Sequence, residues 1–462
     1  MKTIPLLILF LFAFLSCGQD SNNAIQDSEG GKKKPLAAPK DTEISNMVQE
    51  ISVDSIRAYI GTMVDFGTRH SLSDTVSDTR GIGAARRWVK SKFEEFGKAS
   101  SGRLKAILDP YVVQKSGRIP HDVLMKNAMA TLKGTDPDDD RVLIVSGHLD
   151  SRVSDVMDAE RDAPGANDDA SGVAVVMELC RVMSKREFPL TIIFVAVQGE
   201  EQGLFGATHL ARKCRQDSIN VIAMFNNDIV GNTISSNTNI KDSTRVRVFS
   251  ETIPAFETDN MRRLRRRTGA ENDSKSRQLA RYIKELGESY VENFEVVLNY
   301  RTDRFLRGGD HTPFSRNGFT AIRMCEINEN FVHQHQDIRV EDGIQYGDLP
   351  EFVDYNYTAK VARVNLAAMA NLAYAPYEPQ NVGLKFNLNN NTTLVWDKPK
   401  GKEPAGYNIL LRETYQSNWE QKIYVTDTTA TIPYSKDNYF FAVQSVDADG
   451  HSSLPVFPRP VR

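Results

Sequence analysis

The chain has 462 residues, of which 40% are hydrophobic and 25% charged, and carries a net charge of −3. That length calls for two or three folded units, the composition is that of a soluble globular protein, and the near-neutral charge offers no general attraction for nucleic acid or acidic lipid. The four cysteines, Cys17, Cys180, Cys214 and Cys325, include no C-x-x-C pair. A disulfide scaffold and a thiolate zinc centre are thereby excluded, so any metal must be held by histidine and carboxylate.

At the amino terminus Lys2 precedes an apolar run over 4–15, too short to span a bilayer but suited to a signal peptide. The run ends in Phe14-Leu15-Ser16-Cys17-Gly18, which resembles a bacterial lipoprotein signal lipidated at its cysteine. We therefore expect an exported protein, anchored to the membrane through Cys17 or otherwise secreted. A Cys180–Cys214 disulfide is open to it in an oxidising compartment. Residues 18–45 are mostly Asp, Ser, Asn, Gly, Lys and Pro, with almost nothing to bury, and read as a flexible tether.

The expected catalytic unit spans 46–376. Met47, Ile51, Ile56, Tyr59 and Ile60 space as one helical face, and 84–96 form a second amphipathic segment. Between them His70 reads as a loop hydrogen-bonder. Short apolar runs at 141–146, 190–197, 221–226 and 319–324 predict buried strands, separated by helices near 173–183 and 207–213. Strands alternating with helices predict an α/β fold: a mostly parallel central sheet with helices on both faces.

Three of these strands run directly into polar residues: His148 with Asp150, the pair Glu200-Glu201 inside Gly199-Glu200-Glu201-Gln202-Gly203, and Asp228. In a parallel sheet such residues meet at the carboxyl edge, where open α/β sheets bind ligands. Taken alone, the glutamate pair reads equally well as a solvated acidic turn or as part of a site. Asp168 opens the helix after the first strand, with Asp169 beside it as a possible helix cap. The stretch Asn330-Phe331-Val332-His333-Gln334-His335-Gln336-Asp337 offers further imidazoles. Histidines and carboxylates without thiolates suit zinc or a similar divalent ion, and two ions could share a bridging carboxylate. A neighbouring glutamate that is not a ligand could act as general base, and Asp150 could orient the His148 imidazole.

His148-Leu149-Asp150-Ser151, Pro164-Gly165-Ala166-Asn167-Asp168-Asp169-Ala170-Ser171-Gly172, Gly199-Glu200-Glu201-Gln202-Gly203-Leu204-Phe205-Gly206, Asn227-Asp228 and Gly309-Asp310-His311-Thr312-Pro313-Phe314 together resemble the co-catalytic zinc aminopeptidases of secreted bacterial and fungal leucyl type. The resemblance covers roughly residues 46–376. It implies two zinc ions: His148 and Asp228 on one, Glu201 and a late histidine on the other, Asp168 bridging, and Glu200 as general base. The late histidine stands four residues before an aspartate in that family, which selects His333 before Asp337, with His335 as runner-up. The substrates implied are peptides, cleaved at the amino terminus. A one-zinc glutaminyl cyclase or a carboxypeptidase of the same fold is the nearest alternative, and a non-catalytic adhesion protein the most distant. No nucleic-acid partner is expected, and a monomer is the default. The arginine-rich run 262–267 reads as a solvated helix face, and Arg301, Arg304 and Arg307 could pair locally or meet a substrate carboxylate.

Beyond Pro376 the texture changes to short alternating strands at 393–396, 407–412, 421–425 and 439–446, punctuated by Pro, Asn, Asp and Gly. Residues 377–462 are expected to form a small all-β sandwich. Trp396, Tyr407 and the run 439–443 resemble a fibronectin type III domain, with Trp396 and Tyr407 in its core.

Overall fold

A computed structural model describes residues 40–238 and 240–462. The expected signal segment 1–17 and nearly all of the expected tether lie outside the described residues. Asp41 caps the first helix, its carboxylate accepting from the Ile44 amide.

In chain order the elements are α1 (Thr42–Gln49), α2 (Val53–Asp65), α3 (Gly81–Gly97), β1 (Leu104–Val113), β2 (Val123–Leu132), β3 (Arg141–His148), α4 (Ala170–Met183), β4 (Thr191–Val197), α5 (Glu200–Gly203), α6 (Phe205–Gln216), β5 (Asn220–Asn227), β6 (Arg245–Ser250), α7 (Asp259–Thr268), α8 (Lys275–Tyr290), β7 (Glu295–Asn299), α9 (His311–Arg316), β8 (Ala321–Glu326), a small hairpin of β9 (Arg339–Glu341) and β10 (Ile344–Tyr346), and α10 (Tyr355–Tyr374). An eight-stranded sheet runs β1-β2-β4-β3-β5-β8-β6-β7. Its centre, β4-β3-β5-β8, is parallel. The hairpin β1-β2 joins antiparallel to β4, and the parallel pair β6-β7 joins antiparallel to β8.

The strand period of two divides the interior. Leu143 and Val145 of β3, Ile192 and Phe194 of β4, and Ala223 and Phe225 of β5 point into the larger core, beneath α2, α4, α8 and α10. Their neighbours Val142, Ile144, Val195, Val197 and Met224 point the other way, against Ala207, Leu210 and Ala211 of α6 and Phe314 of α9. Cys180 lies in the first core and Cys214 in the second; both are free and buried, so the sheet separates two thiols that could have paired. The chain passes from β3 out to β4 on one side and returns to β5 on the other. This reversal opens a crevice at the carboxyl end of β3, the position where doubly wound sheets take their ligands.

The antiparallel strands β1, β2, β6 and β7 and the long helices α8 and α10 are not among the predicted elements. α10 has too few polar positions to read as amphipathic: Ala359, Val361, Ala362, Val364, Leu366, Ala367, Ala368, Met369, Ala370, Leu372 and Ala373 are all buried, so apolar residues surround it. The arginine run is helical and solvated as expected, since α7 has no buried residue.

Two further sheets follow α10, made of β11 (Gln380–Lys385), β12 (Thr392–Asp397), β13 (Gly406–Glu413), β14 (Gln421–Val425), β15 (Thr429–Ile432), β16 (Tyr439–Val446) and β17 (Arg459–Val461). Their orders are β15-β12-β11-β17 and β14-β13-β16. Leu394, Trp396, Tyr407, Ile409, Leu411, Phe441 and Val443 form the core between them. This module is fastened to α8 by buried charge. Asp273, just ahead of that helix, takes Arg281 at 3.0 Å and Arg412 of β13 at 2.6 Å, every side chain no more than 2% exposed. The Tyr282 hydroxyl donates to the Ser452 carbonyl and the Arg281 Nε to the Ser417 carbonyl. Removing the anion of a buried pair strands its cations. Asp273→Ala should therefore cost about 3–5 kcal/mol in urea unfolding. Arg412→Met, which leaves Asp273 paired with Arg281, should cost clearly less.

Candidate metal centre

β3 delivers His148 at its last residue, and its continuation turns Asp150 back toward β4. The Asp150 carboxylate accepts from three successive amides: Gly199 at 2.8 Å and Glu200 at 3.2 Å on one oxygen, Glu201 at 3.1 Å on the other. Gly199 makes this turn at φ 89°, and a Cβ there would lie 3.0 Å from the Met125 sulfur. The loop of one strand thus holds the glutamate turn of the next. It is the backbone carbonyl of Asp150 that takes the His148 Nδ1 proton, at 2.9 Å. Nε2 is thereby left to face the crevice.

Asp168 and Asp169 enter from the start of α4. Asp169 caps that helix at Gly172 and also accepts from the His148 and Ile229 amides, tying the ends of β3 and β5 to the start of α4. Asp168 faces the crevice. Its amide is held by Asp348, and its Oδ2 accepts from Gln334 Nε2 at 2.8 Å. His148 Nε2 lies 2.9 Å from Asp168 Oδ1 and 3.8 Å from Asp228 Oδ1. His335 Nε2 lies 2.9 Å from both Asp168 Oδ2 and Glu201 Oε1. Three donor sets result among the described residues here: His148–Asp168–Asp228 and Asp168–Glu201–His335, which share Asp168, and His148–Glu200–Glu201. The Glu200 carboxylate adjoins His148 and Glu201 and accepts no hydrogen bond from the described residues.

The structure brings His335, not His333, to this cluster. The His333 ring stacks on Phe352 at 3.7 Å, and burial lowers its pKa to about 4. The two histidines are two residues apart, and a left-handed turn at His335 itself (φ 56°) swings that ring inward. Spacing to Asp337 pointed to His333; the backbone turn that overrides it leaves no mark in the sequence. Also unforeseen were Arg323 and Arg152. Arg323, fully buried, meets Asp228 Oδ1 at 2.8 Å. Arg152 meets Glu201 Oε2 at 3.0 Å and His335 Nδ1 at 2.6 Å. Arg304 and Arg307 pair locally, with Glu329. His70 is a buried loop hydrogen-bonder, with Nε2 at 2.9 Å from the Val156 carbonyl.

The charge balance of the crevice shows that these residues fit a divalent cation. Burial pushes Glu200 well above the usual carboxylate range, the Asp228 and Glu201 charges adding to it. Burial likewise pushes Asp310 up to about 8, and neither of its oxygens has a partner. Burial opposes charge on His335, yet Glu201 and Asp168 raise it to about 10. Crowded carboxylates are recruiting whatever cation is near. The donor set, nitrogen and oxygen without sulfur, is one that zinc accepts.

Residues 127–355 match the sequence pattern of peptidase family M28. A probable zinc metalloprotease of Leptosphaeria maculans is 45% identical over 92% of this chain and 98% of its own. One from Pyrenophora teres f. teres is 44% identical over 91% of this chain and 88% of its own. Among solved structures, the LapA aminopeptidase of Legionella pneumophila aligns with a TM-score of 0.51 at 20% identity, over 74% of this chain and 78% of its own. An aminopeptidase from Aneurinibacillus sp. strain AM-1 aligns with a TM-score of 0.50 at 14% identity, over 72% of this chain and 96% of its own.

The two histidines separate in a metal analysis of purified protein. His335→Ala should lower the zinc bound per chain and His333→Ala should not; equal loss in both would remove His335 from the centre.

Proposed function

The chain belongs to peptidase family M28, and from that membership we propose that it is an exported, two-zinc aminopeptidase. The observation that carries this reading is the pair of donor sets sharing Asp168, with an unbonded glutamate beside them. His148, Asp168 and Asp228 would hold one ion, and Asp168, Glu201 and His335 the other. When bound, zinc supplies Lewis acidity toward a carbonyl oxygen and acidifies water.

The protein's own groups do the rest. Glu200, half-buried and without a hydrogen bond, accepts the proton of the attacking water and returns it to the departing amine. Asp150, by holding the amides of Glu200 and Glu201, keeps that base at a fixed distance from the ligands beside it. Asp310 and Glu200 form an acidic flank suited to a substrate's free ammonium, which supports cleavage at the amino terminus rather than the carboxyl terminus. The two donor sets that share Asp168 favour two ions over the one-zinc cyclase alternative. The resemblance of the carboxyl-terminal strands to a fibronectin type III domain extends this reading to a fixed structural module. The Cys17 signal supports attachment to a membrane.

Glu200→Gln should lower kcat on aminoacyl-nitroanilides by about 10²–10⁴-fold with zinc content unchanged. Peptides blocked at one end decide the polarity: hydrolysis of amino-blocked peptides, or cyclisation in place of hydrolysis, would sink the aminopeptidase reading. Cys17→Ser should move the protein from the membrane fraction to the soluble fraction; unchanged partition would argue against the lipid anchor.

A further inference from the structure

A second concavity lies at the opposite edge of the sheet from the metal centre. Arg141, Asn220 and Thr320, at the starts of β3, β5 and β8, line it together with Ser453 and Leu454 of the carboxyl-terminal module. β3 is eight residues long, so this cleft stands about 20 Å from His148. It has two halves. One is a cavity of 810 Å³ that Arg215, Lys275 and Lys400 line. The other, of 490 Å³, is walled by Phe256, Met261, Leu264, Phe319, Phe457 and Pro458. They meet at Lys275 and Gly318-Phe319-Thr320, which line both. The Arg215 guanidinium lies 5.3 Å over the Phe256 ring, joining a cation of one half to an aromatic wall of the other.

Each half has unmet chemistry. α7 exposes Arg262, Arg263, Arg266 and Arg267, while three- and four-residue spacing puts Met261, Leu264 and Thr268 on its other side, along the apolar half. Met261 and Leu264 there remain 47% and 39% exposed. In the cationic half Arg215, Lys275 and Lys400 have no carboxylate partner among the described residues. The carboxylates bordering the apolar half are occupied: Asp273 with Arg281 and Arg412, Glu257 with Arg265, and Glu251 with the Ala255 amide. Glu378 lines the cationic half, and burial pushes its carboxyl up against the pull of Lys275 and Arg141.

We propose that this cleft is a binding site for an anionic amphiphile. The acyl chain lies along Met261, Leu264 and Phe319, and the acidic head rests on Lys275, Lys400 and Arg215. One such molecule buries methylenes against uncovered apolar walls and brings an acid to cations that lack one. A purely polar or purely apolar ligand would serve one half alone. Both volumes lie in the range of small-molecule sites. The head can be the carboxylate of a free fatty acid or the phosphate of a lipid.

Calorimetry on the full zinc-loaded chain tests this with dodecanoate, dodecanol and dodecyltrimethylammonium, each below its micellar concentration. Dodecanoate should fill a single saturable site about 10–100-fold more tightly than dodecanol, and the cationic amphiphile should bind more weakly than either. In the double variant Lys275→Gln/Lys400→Gln the preference for dodecanoate over dodecanol should fall to near one. Leu264→Glu, on a helix with no buried residue, should weaken both. Thermal melts without ligand, unchanged from wild type, check that both variants are folded. Lauroyl lysophosphatidylglycerol separates the two sources: displacement of dodecanoate admits a phosphate head, and failure to displace it restricts the site to free carboxylates. No saturable binding, equal affinity for the three amphiphiles, or the double variant with its preference intact overturns the inference. Dodecanoate binding that is lost on zinc removal but kept in the double variant would place the ligand at the metal centre, which overturns it as well.

Discussion

Crowding of like charge at one sheet edge is the constraint to which the rest of this structure answers. Two carboxylates 4 Å apart repel by about 4 kcal/mol in a partly screened interior, and here Asp168, Glu200, Glu201, Asp228 and Asp310 converge. Each is answered by a fixed group or left for a cation. Asp228 has Arg323, Asp168 has Gln334 and two imidazoles, Glu201 has Arg152. The acids behind them, Asp150, Asp169 and Asp348, are spent on backbone amides and hold the loops that carry the others. Arg69, fully buried, reaches the carbonyls of Leu149, Pro164 and Gly165, and so braces the two loops from which Asp150 and Asp168 project. Charge neutrality and loop geometry are one problem here, solved by the same residues.

The doubly wound topology makes such crowding possible. β3, β4 and β5 are apolar on both faces, because each face feeds a different core. Their polar residues are thereby confined to the strand ends. Parallel pairing then brings three such ends into one plane, and the chain reversal at β3 opens a gap between them.

Much of this was legible in the sequence because it depends on local chemistry. Continuous apolar runs marked the central strands, and Gly199 marked the turn that points both glutamates the same way. What was hidden depends on long-range placement. β1 and β2 carry polar residues such as Asp109, Lys126 and Asn127 that obscure their period. Asp150 reads as an orienter of His148, but which of its oxygens does so is decided by where the next strand's amides lie. His333 and His335 differ only by a backbone torsion. Arg323 sits inside an apolar strand, where nothing nearby in sequence announces Asp228 as its partner.

The segments that build the centre share one further trait. Leu204, Ile229 and His335 all hold left-handed backbone, at φ 60°, 60° and 56°. For a branched side chain such as Ile229 this is an unusual conformation, with a cost on the order of 1–3 kcal/mol. Ile229 directly follows Asp228, and its side chain packs with Phe249 and Cys325. A glycine there would relax the torsion and forfeit the packing that keeps Asp228 in place. Residue 229 is therefore where heat resistance and turnover would be expected to pull in opposite directions. Homologues adapted to hot or cold habitats should reveal which demand prevails.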